Sequence, residues 1–256
     1  MVQRRSRLSA AVSRAARYSR RVEASSIRAK RRPGDLVEAP DYALTFRLLE
    51  PIPAPPRRLL VLLHGWDDDE RQLAALGAQV DPLALVVLPR GPRSSTESSF
   101  GWYRVSFEGG EPEAVAAEVE DSLAKLSGFI GQLQARHDIA PATTIVAGFS
   151  QGGALAAAVA LMQPVCAAGF AMFSGRLLPE VEAKDTGGLE ALQAFIAHGR
   201  RDRTLELAWA HRAHQWLQAR GVPCELHLHG GGHAFPPAMQ QAFRTWFTDA
   251  RRGWND

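Results

Sequence analysis

Cysteine is scarce in this chain. Its two copies, Cys166 and Cys224, form no C-x-x-C pair and fit no zinc-ligand spacing. A disulfide-dense secreted scaffold and a cysteine zinc site are therefore excluded, and free thiols in a reduced, cytoplasmic setting are expected, with a single disulfide as the alternative. Apolar runs of membrane-spanning length are missing, and the longest stretches are strand-sized. No apolar segment follows the N-terminal charges, which argues against a secretory signal. No internal repeat is visible. Acidic residues are nearly absent from positions 1–33, where eleven Lys or Arg face only Glu23. The remaining 19 basic and 26 acidic residues leave the body mildly acidic, so the overall charge of +3 comes from the tail.

Three readings of that tail stay open. It is a poorly ordered solvated extension or the product of a start codon placed too early; it touches an anionic surface such as nucleic acid or lipid headgroups; or it is an organellar presequence rich in Arg, Ser and Ala. Residues 1–36 are expected to form this tail and 37–256 a single domain, since 256 residues that are 46% hydrophobic suffice for one substantial core.

Within the body, apolar runs and helical periodicities alternate. "YALTFRLLE" (42–50) reads as an edge strand. "RRLLVLLHG" (57–65), "LALVVLP" (83–89) and "TTIVAGF" (143–149) are continuous apolar runs, as in strands buried on both faces. "CAAGFAMF" (166–173), "LQAFIAH" (192–198) and "PCELHLH" (223–229) are further strands. Helices are expected over 67–80, where acids occupy the first turn, over 112–137 with a stripe from Val115 to Leu133, and over 151–162, 205–219 and 235–251. Residues 90–110 read as a long loop carrying Phe100, Trp102 and Tyr103. The alternation implies a mostly parallel sheet covered by helices on both faces, with active residues on loops beyond the carboxyl ends of its strands.

One such loop is "GFSQGG" (148–153). It has the G-x-S-x-G pattern of a nucleophile elbow, with Ser150 between a strand and an alanine-rich helix. Gly148 and Gly152 permit a tight turn, and the helix start offers the N–H of Gln151 to a developing oxyanion. A serine hydroxyl needs a base. His227 and His229 alternate with leucines in a strand and read as structural, as do His64 and His198, which tie loops at strand ends. His211 and His214 belong to a solvated helix face, and His137 closes a helix. His233, after Gly230-Gly231-Gly232 and the last strand, is the candidate base. Asp202 in "HGRRDRTL" is the candidate acid, with Asp185 as the alternative. Trp66, after the early strand in "LLHGW", is the candidate for a second oxyanion N–H, with its indole over the site or simply packed. Trp66 and Trp102 are the candidate substrate-binding aromatics.

The order serine, acid, histidine is that of α/β-hydrolases. "LLHGW", "GWY" (101–103), "GFSQGGALA" (148–156), "FSGRL" (173–177), "HGRRD" (198–202) and "GGGH" (230–233), in this order, resemble the phospholipase/carboxylesterase family of α/β-hydrolases, over roughly residues 58–250. The resemblance implies a Ser150–Asp202–His233 hydrolase of small esters or thioesters, with an oxyanion hole on the backbones of Trp66 and Gln151 and with no metal, organic cofactor or nucleic acid required. Two places depart from the family: "HGWDDDE" replaces a small loop, and "RTL" after Asp202 lacks the customary proline. Only 18 residues separate Phe173 from Leu192, which leaves no room for a large lid domain. A peptidase or acyltransferase on the same three residues, and a non-catalytic binding protein using the basic tail, are the alternatives.

Overall fold

The apolar runs become neighbouring strands of one sheet. A computed structural model describes residues 30–106, 113–183 and 187–249, and within it Arg32–Asp256 is one unit, distinct from Met1–Arg31. The strands are β1 (Arg32–Pro33), β2 (Phe46–Glu50), β3 (Arg58–Leu63), β4 (Ala84–Pro89), two short pairs β5 (Arg93–Ser94) with β6 (Phe100–Gly101) and β7 (Val105–Ser106) with β8 (Glu113–Ala114), then β9 (Thr144–Phe149), β10 (Gly169–Phe173), β11 (Gln193–Gly199) and β12 (Cys224–His229). The eight-stranded sheet has the order β1-β2-β4-β3-β9-β10-β11-β12. β2 runs antiparallel to β1 and β4, and the pairings from β4 to β12 are parallel. This is the doubly covered, mostly parallel sheet of an α/β-hydrolase. Expected from 42 and at the edge, the second strand starts at Phe46 and lies one place in, because Arg32–Pro33 pairs with Leu49–Glu50.

The helices are α1 (Ala74–Gly77), α2 (Ala116–His137), α3 (Gln151–Met162), α4 (Pro179–Glu182), α5 (Leu207–Ala219) and α6 (Pro237–Asp249). Strand side chains alternate between faces. Leu59, Val61, Leu63, Val146, Phe170 and Ile196 pack with α2, α3 and α5; Leu60, Leu62, Ile145, Ala171 and Phe195 pack with α1 and α6. Both faces are thus dry over β3, β4, β9, β10 and β11, which is why those strands carry no polar alternation; the edge strand β12 is only partly buried and keeps one. Helix α3 is buried from Gln151 to Leu161, as its small apolar sequence requires. Val115, expected to open the stripe of α2, instead precedes the helix and is exposed; Phe129 completes the buried face. No helix among the described residues is long and apolar enough to cross a membrane.

The helix expected over 67–80 shrinks to the single turn of α1. Its polar residues are committed to tertiary contacts instead. Asp67, at φ 59°, accepts hydrogen bonds from the hydroxyls of Ser95 and Ser99. Glu70 is buried between Arg47 and Arg90. Burial alone would push its carboxyl up, but the guanidinium hydrogen bonds from Arg90 and Arg47 outweigh this and hold it below the usual value. Gln72 accepts the N–H of Gly65 and donates to Asp68. These contacts anchor the loop after β3 above the carboxyl end of the sheet.

Candidate active site

Ser150 occupies the turn between β9 and α3 with φ 52° and ψ −115°, a combination that side chains other than glycine adopt only under constraint. The constraint comes from both sides. The Ser150 N–H donates to Phe173 O at 2.8 Å, continuing the sheet ladder across the turn. The chain around it is too close for side chains: a Cβ on Gly148 would stand 2.3 Å from the carbonyl carbon of Gly152, and one on Gly152 would stand 2.4 Å from His64 O. The glycines are required by backbone contact, and the turn lifts the serine hydroxyl out of the sheet.

Three side chains from different strand ends converge there. His233 Nε2 lies 3.0 Å from Ser150 Oγ, and His233 Nδ1 lies 2.7 Å from Asp202 Oδ2. A carboxylate only accepts, so Nδ1 carries the proton and Nε2 presents its lone pair to the serine. Asp202 is buried at the tip of the loop after β11, and its other oxygen accepts the backbone N–H groups of Thr204 and Leu205, both at 2.9 Å. Those two bonds orient the carboxylate without competing for Oδ2. Asp185, the alternative acid, lies outside the described residues.

The His233 loop is braced from below and from its own side. The carbonyl oxygen of Gly232 comes so close to β11 that a Cβ on Gly199 would meet it at 2.1 Å. His229 accepts the Gly231 N–H on Nδ1 at 3.1 Å and donates from Nε2 to Ala234 O at 3.0 Å, spanning the loop that carries His233. The alternation of His229 with leucines marks it only as a strand residue; this second job arises because the loop folds back over its own strand.

His64 and His198 tie loops together, as their positions at strand ends suggest. Gly91 donates its N–H to His64 Nε2, so Nδ1 carries the proton and donates to Gly65 O. Burial pushes the His64 imidazole below its ordinary value, against the proton-favouring Gly65 carbonyl. His198 donates from Nε2 to Leu205 O and is likewise held low by burial. Both are neutral struts around the site.

A cavity of about 370 Å³ opens beside Ser150, bounded by Gly65, Trp66, Tyr103, Val105, Phe149, Gln151, Ala154, Arg176, Thr204, Leu205 and His233. Trp66 stands at its rim, 43% exposed, with its ring over Gly101. Trp102 is a correction to the sequence reading: it is fully buried and does not line the cavity. Its indole N–H donates to His64 O, and its backbone N–H donates to the Gln151 side chain. The neighbouring Tyr103 lines the wall in its place. The side chain of Gln151 faces the 102–103 loop, which leaves its backbone N–H, at the first position of α3, among those without an intrahelical partner. Arg176 was visible in the sequence only as part of "FSGRL"; nothing local marks it as a wall residue. Among the described residues no group of three His, Cys, Asp or Glu side chains converges in a metal-binding arrangement.

Comparison with known proteins adds a lineage to this geometry. The family described as Phospholipase/Carboxylesterase matches residues 49–249, a span that includes Ser150, Asp202 and His233. A probable carboxylesterase of rice (Oryza sativa subsp. japonica) is 32% identical over 112 residues, 43% of this chain and 48% of the relative, so the match spans about half that relative's length. Acyl-protein thioesterase 1 of Mycosarcoma maydis is 28% identical over 184 residues, 64% of this chain and 76% of the relative. Among solved structures, esterase PE8 superposes with a TM-score of 0.70 at 25% identity, covering 79% of this chain and 97% of its own.

Proposed function

Because the chain belongs to the phospholipase/carboxylesterase family, we propose that it hydrolyses carboxylic esters, and thioesters by the same steps, through an acyl group carried on Ser150. The observation that carries this reading is the unbroken relay from Ser150 Oγ through His233 to Asp202, at 3.0 and 2.7 Å.

The steps follow from the donors and acceptors. Ser150 gives its proton to His233 Nε2 as Oγ attacks the substrate carbonyl. Asp202 stabilises the imidazolium that forms, through the bond at Nδ1. The carbonyl oxygen becomes an oxyanion, and in this reading the N–H of Gln151 at the start of α3 and the N–H of Trp66 act as its donors. His233 then delivers its proton to the leaving alcohol or thiol, and the acyl group stays on Oγ. A water, deprotonated by His233 in turn, attacks the acyl-enzyme, and the proton returns to Ser150 as the acid departs.

The backbone strain at Ser150 favours an enzyme over a binding protein on the same scaffold, since such strain costs about 1–3 kcal/mol and persists where function uses it. A peptidase or an acyltransferase would use the same relay. The cavity supports hydrolysis of small esters: at about 370 Å³ it holds a short acyl chain, and no lid domain covers it among the described residues. The kinship with an acyl-protein thioesterase supports including thioesters.

The test is covalent labelling followed by an acyl-length series. A fluorophosphonate should mark Ser150 in the wild type and leave Ser150→Ala unmarked. Nitrophenyl esters of increasing chain length, run beside a thioester, should give the best kcat/KM at short chains. A label on a different serine, or normal turnover in Ser150→Ala, overturns the assignment.

A further inference from the structure

The tip of the loop after β3 is held by a hairpin that has no part in the hydrolytic steps. Asp67, next to Trp66, sits at φ 59°. Its Oδ1 accepts the Ser95 hydroxyl at 2.8 Å and the Ser99 hydroxyl at 2.7 Å, from 28 and 32 positions away. These hydroxyls, Ser99 foremost, hold the Asp67 carboxyl below the usual carboxylate range, so it stays ionised wherever a histidine base is neutral. The two serines face the loop together because the turn between β5 and β6 closes between them, with the Ser95 N–H donating to Ser99 O at 2.9 Å. Two more contacts join the same pieces. The Phe100 N–H donates to Asp68 O at 2.8 Å, bridging β6 to the loop. The Trp66 ring lies so close to Gly101 that a Cβ there would stand 2.1 Å from Cε3. The hairpin is thus fastened to residues 66, 67 and 68 in succession.

Burial does not fix this tip, since Trp66 and Asp67 are both exposed. Gly65 and Trp66 nevertheless border the cavity beside Ser150, and the Trp66 N–H donates to no acceptor among the described residues. That N–H belongs to the planar peptide unit joining the two residues, so its direction follows from where the plane is held. At one end His64 Nδ1 donates to Gly65 O at 2.7 Å, and Gln72 accepts the Gly65 N–H at 2.9 Å. At the other end the chain passes through Trp66 into Asp67, where only the hairpin grips it. A donor for developing charge contributes most when it is set in place before the charge appears, and its bond weakens steeply with misalignment. The grip lies in "HGWDDDE", the stretch that departs from the family pattern.

Resting on the hydrolase reading above, we propose that Asp67, Ser95 and Ser99 are positioning residues for the oxyanion: their hydrogen bonds hold the Gly65–Trp66 peptide so that the Trp66 N–H meets the charge that develops on the substrate carbonyl. None of the three touches the reacting atoms. They act through the backbone, from outside the segments that carry Ser150, Asp202 and His233.

Asp67→Gly removes the acceptor and leaves a residue at ease with φ 59°. It should lower kcat for a nitrophenyl ester about tenfold with KM within about twofold, because only the transition state uses the N–H. Ser95→Ala with Ser99→Ala should do the same, and adding Asp67→Gly to that pair should cost little more, since all three changes remove one interaction. Asp67→Asn should keep kcat within about threefold, because its amide oxygen can accept both hydroxyls and asparagine tolerates the left-handed region. A trifluoromethyl ketone, which Ser150 converts to a tetrahedral oxyanion, should bind Asp67→Gly about tenfold less tightly than wild type. Hydrogen exchange gives a readout independent of turnover: residues 64–68 should exchange faster in Asp67→Gly and in the serine pair than in wild type or Asp67→Asn. Unchanged kcat in Asp67→Gly and the serine pair, a loss confined to KM, losses that multiply, or an Asp67→Asn as impaired as Asp67→Gly overturns the proposal. A wild type that turns over no ester, while exchange still separates the variants, would instead count against the hydrolase reading and leave the grip of the hairpin standing.

Discussion

The side-chain oxygen of Gln151 accepts the backbone N–H of Trp102 at 2.8 Å, although 49 positions separate them, and its amide nitrogen donates to the carbonyl of Tyr103. One residue thus fixes the loop that walls the cavity while its own backbone N–H starts α3 beside the nucleophile. Gln151→Leu keeps the volume and removes both bonds. Two buried backbone groups are then left unpaired, each at a cost of about 1–3 kcal/mol. A fall in Tm together with a lower kcat/KM is expected; thermal unfolding and ester kinetics on the same preparation check it, and an unchanged Tm would refute the clamp.

The relay predicts a pattern of non-additivity. Ser150→Ala and His233→Ala should each lower kcat by about 10³-fold or more, and the double variant should be little worse than either. Asp202→Asn should cost about 10⁴-fold, since an amide at Oδ2 favours the wrong imidazole tautomer. Losses that simply multiply in the double variant would show that Ser150 and His233 do not act as one unit.

Two glycines should respond in opposite directions. Gly199→Ala puts a Cβ against the Gly232 carbonyl, a backbone atom with nowhere to move but the His233 loop. Overpacking of this kind costs about 1–3 kcal/mol, and a 1 Å displacement of the imidazole can cost about 10²-fold in rate. Gly128, inside α2, has nothing within 4 Å of a new Cβ, so Gly128→Ala should stabilise by about 0.5–1 kcal/mol with activity retained. Unfolding midpoints and kcat/KM for the two variants decide the matter.

Stability should fall on mild acidification. Burial holds His64 and His198 below the ordinary imidazole value of 6.5 in the folded protein, despite Asp68, Glu70 and Asp69 near the first and Asp202 near the second. Below about pH 6.5 the unfolded chain binds protons that the folded chain refuses, so the stabilisation is complete above that pH and is lost as the pH falls toward the folded-state values. Tm measured from pH 7.5 to 5.5 should decline, and His198→Asn should show a shallower slope. A flat profile, or an identical slope in the variant, contradicts this account.

Much of the scaffold is legible in short stretches of the sequence. Continuous apolar runs such as "RRLLVLLHG" mark strands buried on both faces, because nothing polar can be tolerated on either side. Gly148 and Gly152, on either side of Ser150, stand where the backbone passes close to another backbone, and only glycine fits there. The apolar runs and the G-x-S-x-G spacing are local patterns, so a window of sequence contains them, even though the contact that demands Gly152 is with distant His64 O.

Other features have no local signature. The acidic run at 67–70 carries every mark of a helix start, but Glu70 pairs with Arg47 and Arg90, 23 and 20 positions away, and these partners outweigh helix propensity. Within "GWY", the sequence cannot tell which aromatic faces the cavity; the grip of Gln151 on the loop buries Trp102 and turns Tyr103 to the wall. Arg176 is one arginine among many until Trp209 stacks against it beside the cavity. Periodicity and chain closeness specify the strands, the turns and the order of the reactive residues. Which side chains meet across distant segments is decided only when the sheet forms, because those partners satisfy polar groups and charge that each segment alone would leave to water.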